Sequence, residues 1–106
     1  MTAEEIQILG EQVISVLKTI YDPEIPVDIY ELGLIYDVQV SDEADVKIVM
    51  TLTTPNCPVA ESLPEEVKEK VIVIEMIKNV ELILTFDPPW GTEMMSEEAR
   101  LELGML

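Results

Sequence analysis

The single cysteine of this chain, Cys57, sits in a Thr-Thr-Pro-Asn-Cys-Pro run at 53–58, between an alternating apolar stretch and a helical pattern. A strand that stops at a threonine-rich turn delivers this thiol to a helix start. Unpaired N–H groups and the positive dipole end favour an anion there. The thiolate is the form of cysteine that attacks electrophiles and binds metals. The arrangement predicts a thiol more acidic than an ordinary one, held by backbone donors from 56–60, the first of them on Asn56. Histidine is absent from the chain, so a Cys–His dyad is excluded. Two chemistries remain: a thiol that holds or passes a soft metal group, and a nucleophile in a thiol enzyme. The lack of a base titrating near neutrality, a glycine-rich phosphate loop or a metal-binding motif weighs against the enzyme. The bland alternative is a cysteine that fills space as a small hydrophobe.

Other residues could assist the thiol. Thr53 and Thr54 are placed to cap the turn after the strand, or to help hold a negative sulfur or carboxylate. Asp22 and Glu24 flank Pro23, and Pro26 follows, so a rigid loop fixes their direction. Their bland role is to cap and form the turn. Trp90 follows Pro88-Pro89. It reads first as core filling and second as a lid or partner anchor.

The elements that must position these residues are legible from periodicity. Thr2 and Glu5 have the spacing of a capping box. Ile6, Leu9, Val13, Leu17 and Ile20 then share one helical face, and Pro23 ends the helix near Tyr21. Residues 27–32 read as a short helical turn closed by Gly33. Leu34, Tyr36, Val38 and Val40 alternate with Ile35, Asp37 and Gln39. Across a turn at 41–45, Val46, Ile48, Met50 and Leu52 alternate with Lys47, Val49 and Thr51, giving a hairpin with one apolar face. Pro58 suits the first position of the next helix. Pro64 implies either a kink or a regular helix starting at Ser62, with Glu65 completing a second capping box. Val67, Val71 and Ile74 continue its face. Val80, Leu82, Leu84 and Phe86 form a third strand, and a last helix starts at Ser96 and ends at Gly104. The order α-β-β-α-β-α predicts an α+β fold: a two-layer sandwich whose small three-stranded sheet is covered by helices, in one domain over 1–106.

Six basic against twenty-two acidic residues give a formal charge of −16. Such a chain repels phosphate backbones and anionic membrane surfaces, so neither nucleic acid nor a membrane is an expected partner. It is steered instead toward basic protein patches. One cysteine allows no internal disulfide, the N-terminus lacks the pattern of a secretory signal, and the longest aliphatic run is Val71–Ile74. The expected location is the cytoplasm.

Four spaced motifs occur in order: Asp-Pro-Glu-Ile-Pro at 22–26, Leu-Gly-Leu-Ile-Tyr at 32–36, Thr-Leu-Thr-Thr-Pro-Asn-Cys-Pro at 51–58, and Asp-Pro-Pro-Trp at 87–90. With the tail at 95–104, they resemble the SufT/PaaD-like family of iron–sulfur assembly factors over nearly the whole chain. Met76, Pro64 and Gly91 depart from the family pattern, and the cysteine-rich extension of the longer PaaD-type members does not occur in this sequence. The resemblance implies an accessory role in maturing iron–sulfur proteins, beside a cluster carrier or P-loop ATPase scaffold and client apoproteins. It places the family's cysteine on Cys57, its acidic pair on Asp22 and Glu24, and its threonines on Thr53 and Thr54. A narrower version is maturation of one oxygenase. Clusters take about four cysteine ligands. One chain supplies one and a homodimer two, so no stably bound cofactor is expected, only transient transfer of a cluster or iron through Cys57.

Overall fold

A computed structural model describes residues 1–22, 25–53 and 59–104. Glu24, Thr54, Asn56 and Cys57, and with them Pro58 as a helix start, lie outside the described residues.

The first helix, α1 (Ala3–Leu17), starts with the predicted capping box: the Thr2 Oγ1 accepts from the Glu5 N–H at 3.1 Å, and Glu5 Oε1 accepts from the Thr2 N–H at 3.0 Å. Leu9, Val13 and Leu17 on one face are fully buried. The helix ends at Leu17 rather than near Tyr21. The Thr19 hydroxyl donates to the Val16 carbonyl at 2.6 Å, and the Thr19 N–H donates to the same oxygen. Local bonds of this kind compete with the helical ladder. Ile20 remains buried, and its carbonyl accepts from the Ile29 N–H at 2.8 Å.

Strands β1 (Ile35–Val40) and β2 (Asp45–Met50) pair antiparallel, closed by a turn in which Ser41 Oγ accepts from the Glu43 and Asp45 N–H groups. Val46, Ile48 and Met50 point into the core, as their alternation predicts. The register shifts between Ile35 and Asp37, a bulge at Tyr36. The regular strand stops at Met50, short of the predicted Leu52, although Leu52 is buried.

The second helix, α2 (Val59–Ile72), carries Pro64 inside it, so the regular helix does not begin at Ser62. Proline removes an N–H that would bond four residues back. At Pro64 that acceptor is the Ala60 carbonyl, near the start of the ladder, where a lost bond matters least. Leu63, Val67 and Val71 line the buried face, so core contacts hold the segment on both sides of the proline.

The third strand, β3 (Asn79–Leu84), pairs parallel to β2, and the sheet order β1-β2-β3 puts β2 in the centre. The strand ends before Phe86, which is exposed rather than in the core as its alternation predicts. A short 3-10 turn at Thr92–Met94 precedes α3 (Glu97–Glu102), where the Ser96 Oγ accepts from the Ala99 N–H at 3.1 Å. The elements follow the predicted order and build the predicted small α+β fold, with α1 packed on β1, α2 on β3, and the two helices on each other.

Candidate functional site

Parallel pairing sends β2 and β3 out at the same end of the sheet, where β1 enters. Open sheets build sites beyond the carboxyl ends of their strands. The described parts of three of the four motifs, 32–36, 51–53 and 87–90, meet at this end. From β2 the chain continues through Thr51, Leu52 and Thr53 toward the segment carrying Cys57, and it re-enters the described structure at Val59 in α2. From β3 it continues through Thr85 to Trp90. The 28–34 turn feeds β1.

Hydrogen bonds bind these segments together. The Thr51 N–H donates to the Leu34 carbonyl at 2.8 Å, and the Thr85 N–H to the Met50 carbonyl at 2.9 Å. They extend the sheet by one bond on each side of β2. The Trp90 Nε1–H donates to the Leu32 carbonyl at 2.8 Å, and the Tyr36 hydroxyl donates to the Pro88 carbonyl at 2.8 Å. Asp28 Oδ2 accepts from the Glu31 N–H at 3.0 Å, closing the turn before Gly33, which has φ +82°. This matches the predicted helical turn ended by glycine.

Among the sequence candidates, Asp22 is buried, at 7 % exposure, next to the Tyr21–Asp28 bridge. A capping and turn-forming role fits that position. Thr53 is half-buried. Trp90 is half-buried against the core with its indole N–H tied down, which favours packing over a free lid. Glu24, Thr54, Asn56 and Cys57 lie outside the described residues; of the described candidates, Thr53 continues β2 at the sheet end and Trp90 is bonded to Leu32 there, while Asp22 sits beside the Tyr21–Asp28 bridge.

Sequence reasoning missed Thr51 and Tyr36. Thr51 is fully buried, one residue past β2. Tyr36 clamps the 85–90 segment and also lies 3.4 Å from the Met94 Sδ. The available signal for Tyr36 was a hydroxyl-bearing ring in an apolar row, since such rings find partners when they are covered. Among the described residues, no group of three or more His, Cys, Asp or Glu side chains is arranged to hold a metal ion. No helix among them is long and apolar enough to cross a membrane.

Comparison with known proteins gives the same picture of the fold. A crystal structure of a domain of unknown function from Bacillus anthracis superposes with a TM-score of 0.90 at 31% identity, covering 99% of this chain and 100% of that one. A Porphyromonas gingivalis protein named as an Fe-S protein maturation auxiliary factor is 52% identical over 91% of each chain. A stretch making up 22% of a longer iron-sulfur cluster carrier protein of Synechocystis is 32% identical to 74% of this chain. The family model for iron-sulfur cluster assembly proteins matches residues 10–82, a span that takes in Asp22, Glu24, Thr53, Thr54, Asn56 and Cys57 and leaves Trp90 outside. This chain therefore belongs to the iron-sulfur cluster assembly protein family.

Proposed function

We propose that this chain is an accessory factor in the maturation of iron–sulfur proteins, acting through Cys57 as an adaptor or a transient transfer thiol. The observation that carries the reading is the 52% identity, over 91% of both chains, to a maturation auxiliary factor. The fold supports it by sending the segment that bears Cys57 off the central strand, at the sheet end where the 28–34 and 85–90 segments are clamped.

The cluster, or its iron, is cargo here. A cluster takes about four cysteine ligands. One thiol on this chain completes a shell only with ligands from a partner, a second copy, or weak carboxylate donors such as Asp22 and Glu24. That arithmetic suits handover in the cytoplasm between a cluster carrier, or a P-loop ATPase scaffold, and a client apoprotein. Cys57 acts in this role without turnover of a substrate of its own.

The test pairs anaerobic cluster reconstitution with complementation of a strain lacking the gene, using wild type and Cys57→Ser. We expect Cys57→Ser to fold, with a stability change on the order of 1 kcal/mol, and to leave client iron–sulfur enzymes inactive. Full complementation by Cys57→Ser would remove the thiol from the mechanism. Multiple turnover of a thioester with a covalent intermediate trapped on Cys57 would make the protein an enzyme.

A further inference from the structure

A groove of about 620 Å³ runs between the outer face of α1 and the segment after α2. Its apolar floor is Ile8 and Val16 from α1 with Ile74 and Met76 from the turn, and Glu11 and Glu75 stand on its sides. Ile8 is 52% exposed and Met76 42%. Val73, beside this segment, is 77% exposed, the highest value among the large apolar side chains described. Clustered exposure of this kind marks interaction surfaces, whereas single exposed apolar residues need no explanation.

The 73–76 wall of the groove lies away from the candidate site. The 73–78 turn leads into the start of β3, and the Lys78 N–H donates to the Ala44 carbonyl at the hairpin turn. The site end is at the exit of β3, a strand length away, about 17–20 Å.

Charge decides the occupant. The described residues lining the groove include two glutamates and neither lysine nor arginine. Glu4 lies one helical turn before Ile8 on the same face of α1. The chain as a whole carries −16, so a second copy would bring like charge against this rim. The lining residues from Ile8 to Val16 span about 12 Å, or two helical turns. That length suits apolar side chains spaced i, i+4 and i+7 on a partner helix.

We propose that this groove docks a basic amphipathic helix of a partner protein, its apolar side chains over Ile8, Ile74 and Met76 and its lysines or arginines against Glu11 and Glu75. The groove's lining does not include Cys57, so the proposal stands whether or not Cys57 transfers a cluster.

The probe is a fluorescent 18-residue peptide of leucine and lysine with the leucines on one helical face, compared at 150 mM salt with a scrambled peptide of the same composition. The amphipathic peptide is expected to bind at least tenfold more tightly than the scrambled one and to shift amide signals of 8–16 and 73–76. Ile8→Glu and Met76→Glu should each weaken binding at least tenfold, and the double change Glu11→Lys with Glu75→Lys should weaken binding and reduce its salt dependence. Leu101→Glu, on an exposed face of α3, should leave binding unchanged, as should Cys57→Ser. Ile8, Glu11, Glu75, Met76 and Leu101 are exposed, and thermal melts verify that each variant is folded. Equal binding of the scrambled peptide, undiminished binding by Ile8→Glu, or amide shifts confined to other surfaces would overturn the proposal. So would a homodimer, seen by sedimentation, that Met76→Glu dissociates, because that would give the groove to a second copy.

Discussion

Gly33 shows how closely the site end is packed. Its φ of +82° lies in the left-handed region, and a Cβ added there would overlap the carbonyl oxygen of Met94. Both the turn and the neighbouring backbone therefore require glycine. Gly33→Ala is expected to cost more than about 2 kcal/mol, from the left-handed penalty and overpacking together, read by denaturant unfolding. A second residue-level prediction concerns Glu5. The Thr2 backbone N–H, and then the Thr2 hydroxyl, stabilise its carboxylate and hold its pKa below the ordinary glutamate value. A depressed folded-state pKa gives stability that is fully present above the ordinary value and lost as pH falls through the lowered one. An NMR titration should therefore find Glu5 ionising below free glutamate, and Thr2→Ala, which keeps the backbone N–H, should move it only part of the way back up. At this scale the sequence exposed the capping box and Gly33, because both are local. It did not expose the Tyr36 hydroxyl bond to Pro88 or the indole bond of Trp90 to Leu32, whose partners are distant in the chain.

At the scale of elements, periodicity predicted α1, the hairpin, the third strand and the last helix because each buries one face of a repeating pattern. It failed where one residue breaks the repeat. Alternation places Tyr36 with Val38 and Val40, but the bulge there inserts an unpaired residue that no apolar pattern announces. Phe86 continues the alternation of β3, yet the chain has already turned into its proline segment, so the ring is exposed. Pro64 suggested a break, and the buried row of Leu63, Val67 and Val71 keeps the helix intact across it. Within α1, Gly10 is a weak point. A Cβ there would meet nothing within 4 Å, and glycine is a poor helix former. Gly10→Ala should stabilise the protein by about 0.5–1 kcal/mol, measured as an upward shift of the unfolding midpoint with the m-value unchanged.

The parallel pair β2–β3 gives the molecule two distinct ends. Residues 51–53 and 85–90 leave at one end, while the hairpin turn and the 73–78 turn occupy the other. The Thr85 amide, bonded to the Met50 carbonyl, sits at the seam between β3 and the candidate site. If that end is continuous with the core, this amide should exchange with solvent only through global unfolding, with the same free energy as the central amides of β2. Native-state hydrogen exchange in denaturant measures it, and a lower opening energy for Thr85 would make the site end a separately opening unit. The same topology has a consequence in time. The hairpin pairs neighbours in sequence, whereas β3 can join β2 only after all of α2 has been made. During synthesis the segment bearing Cys57 leaves the ribosome before Trp90, and the interval is on the order of seconds. The segment that follows β2 is thus made ahead of the strand exit that clamps this end of the sheet, and a nascent chain carries it without that clamp until its last strand has docked.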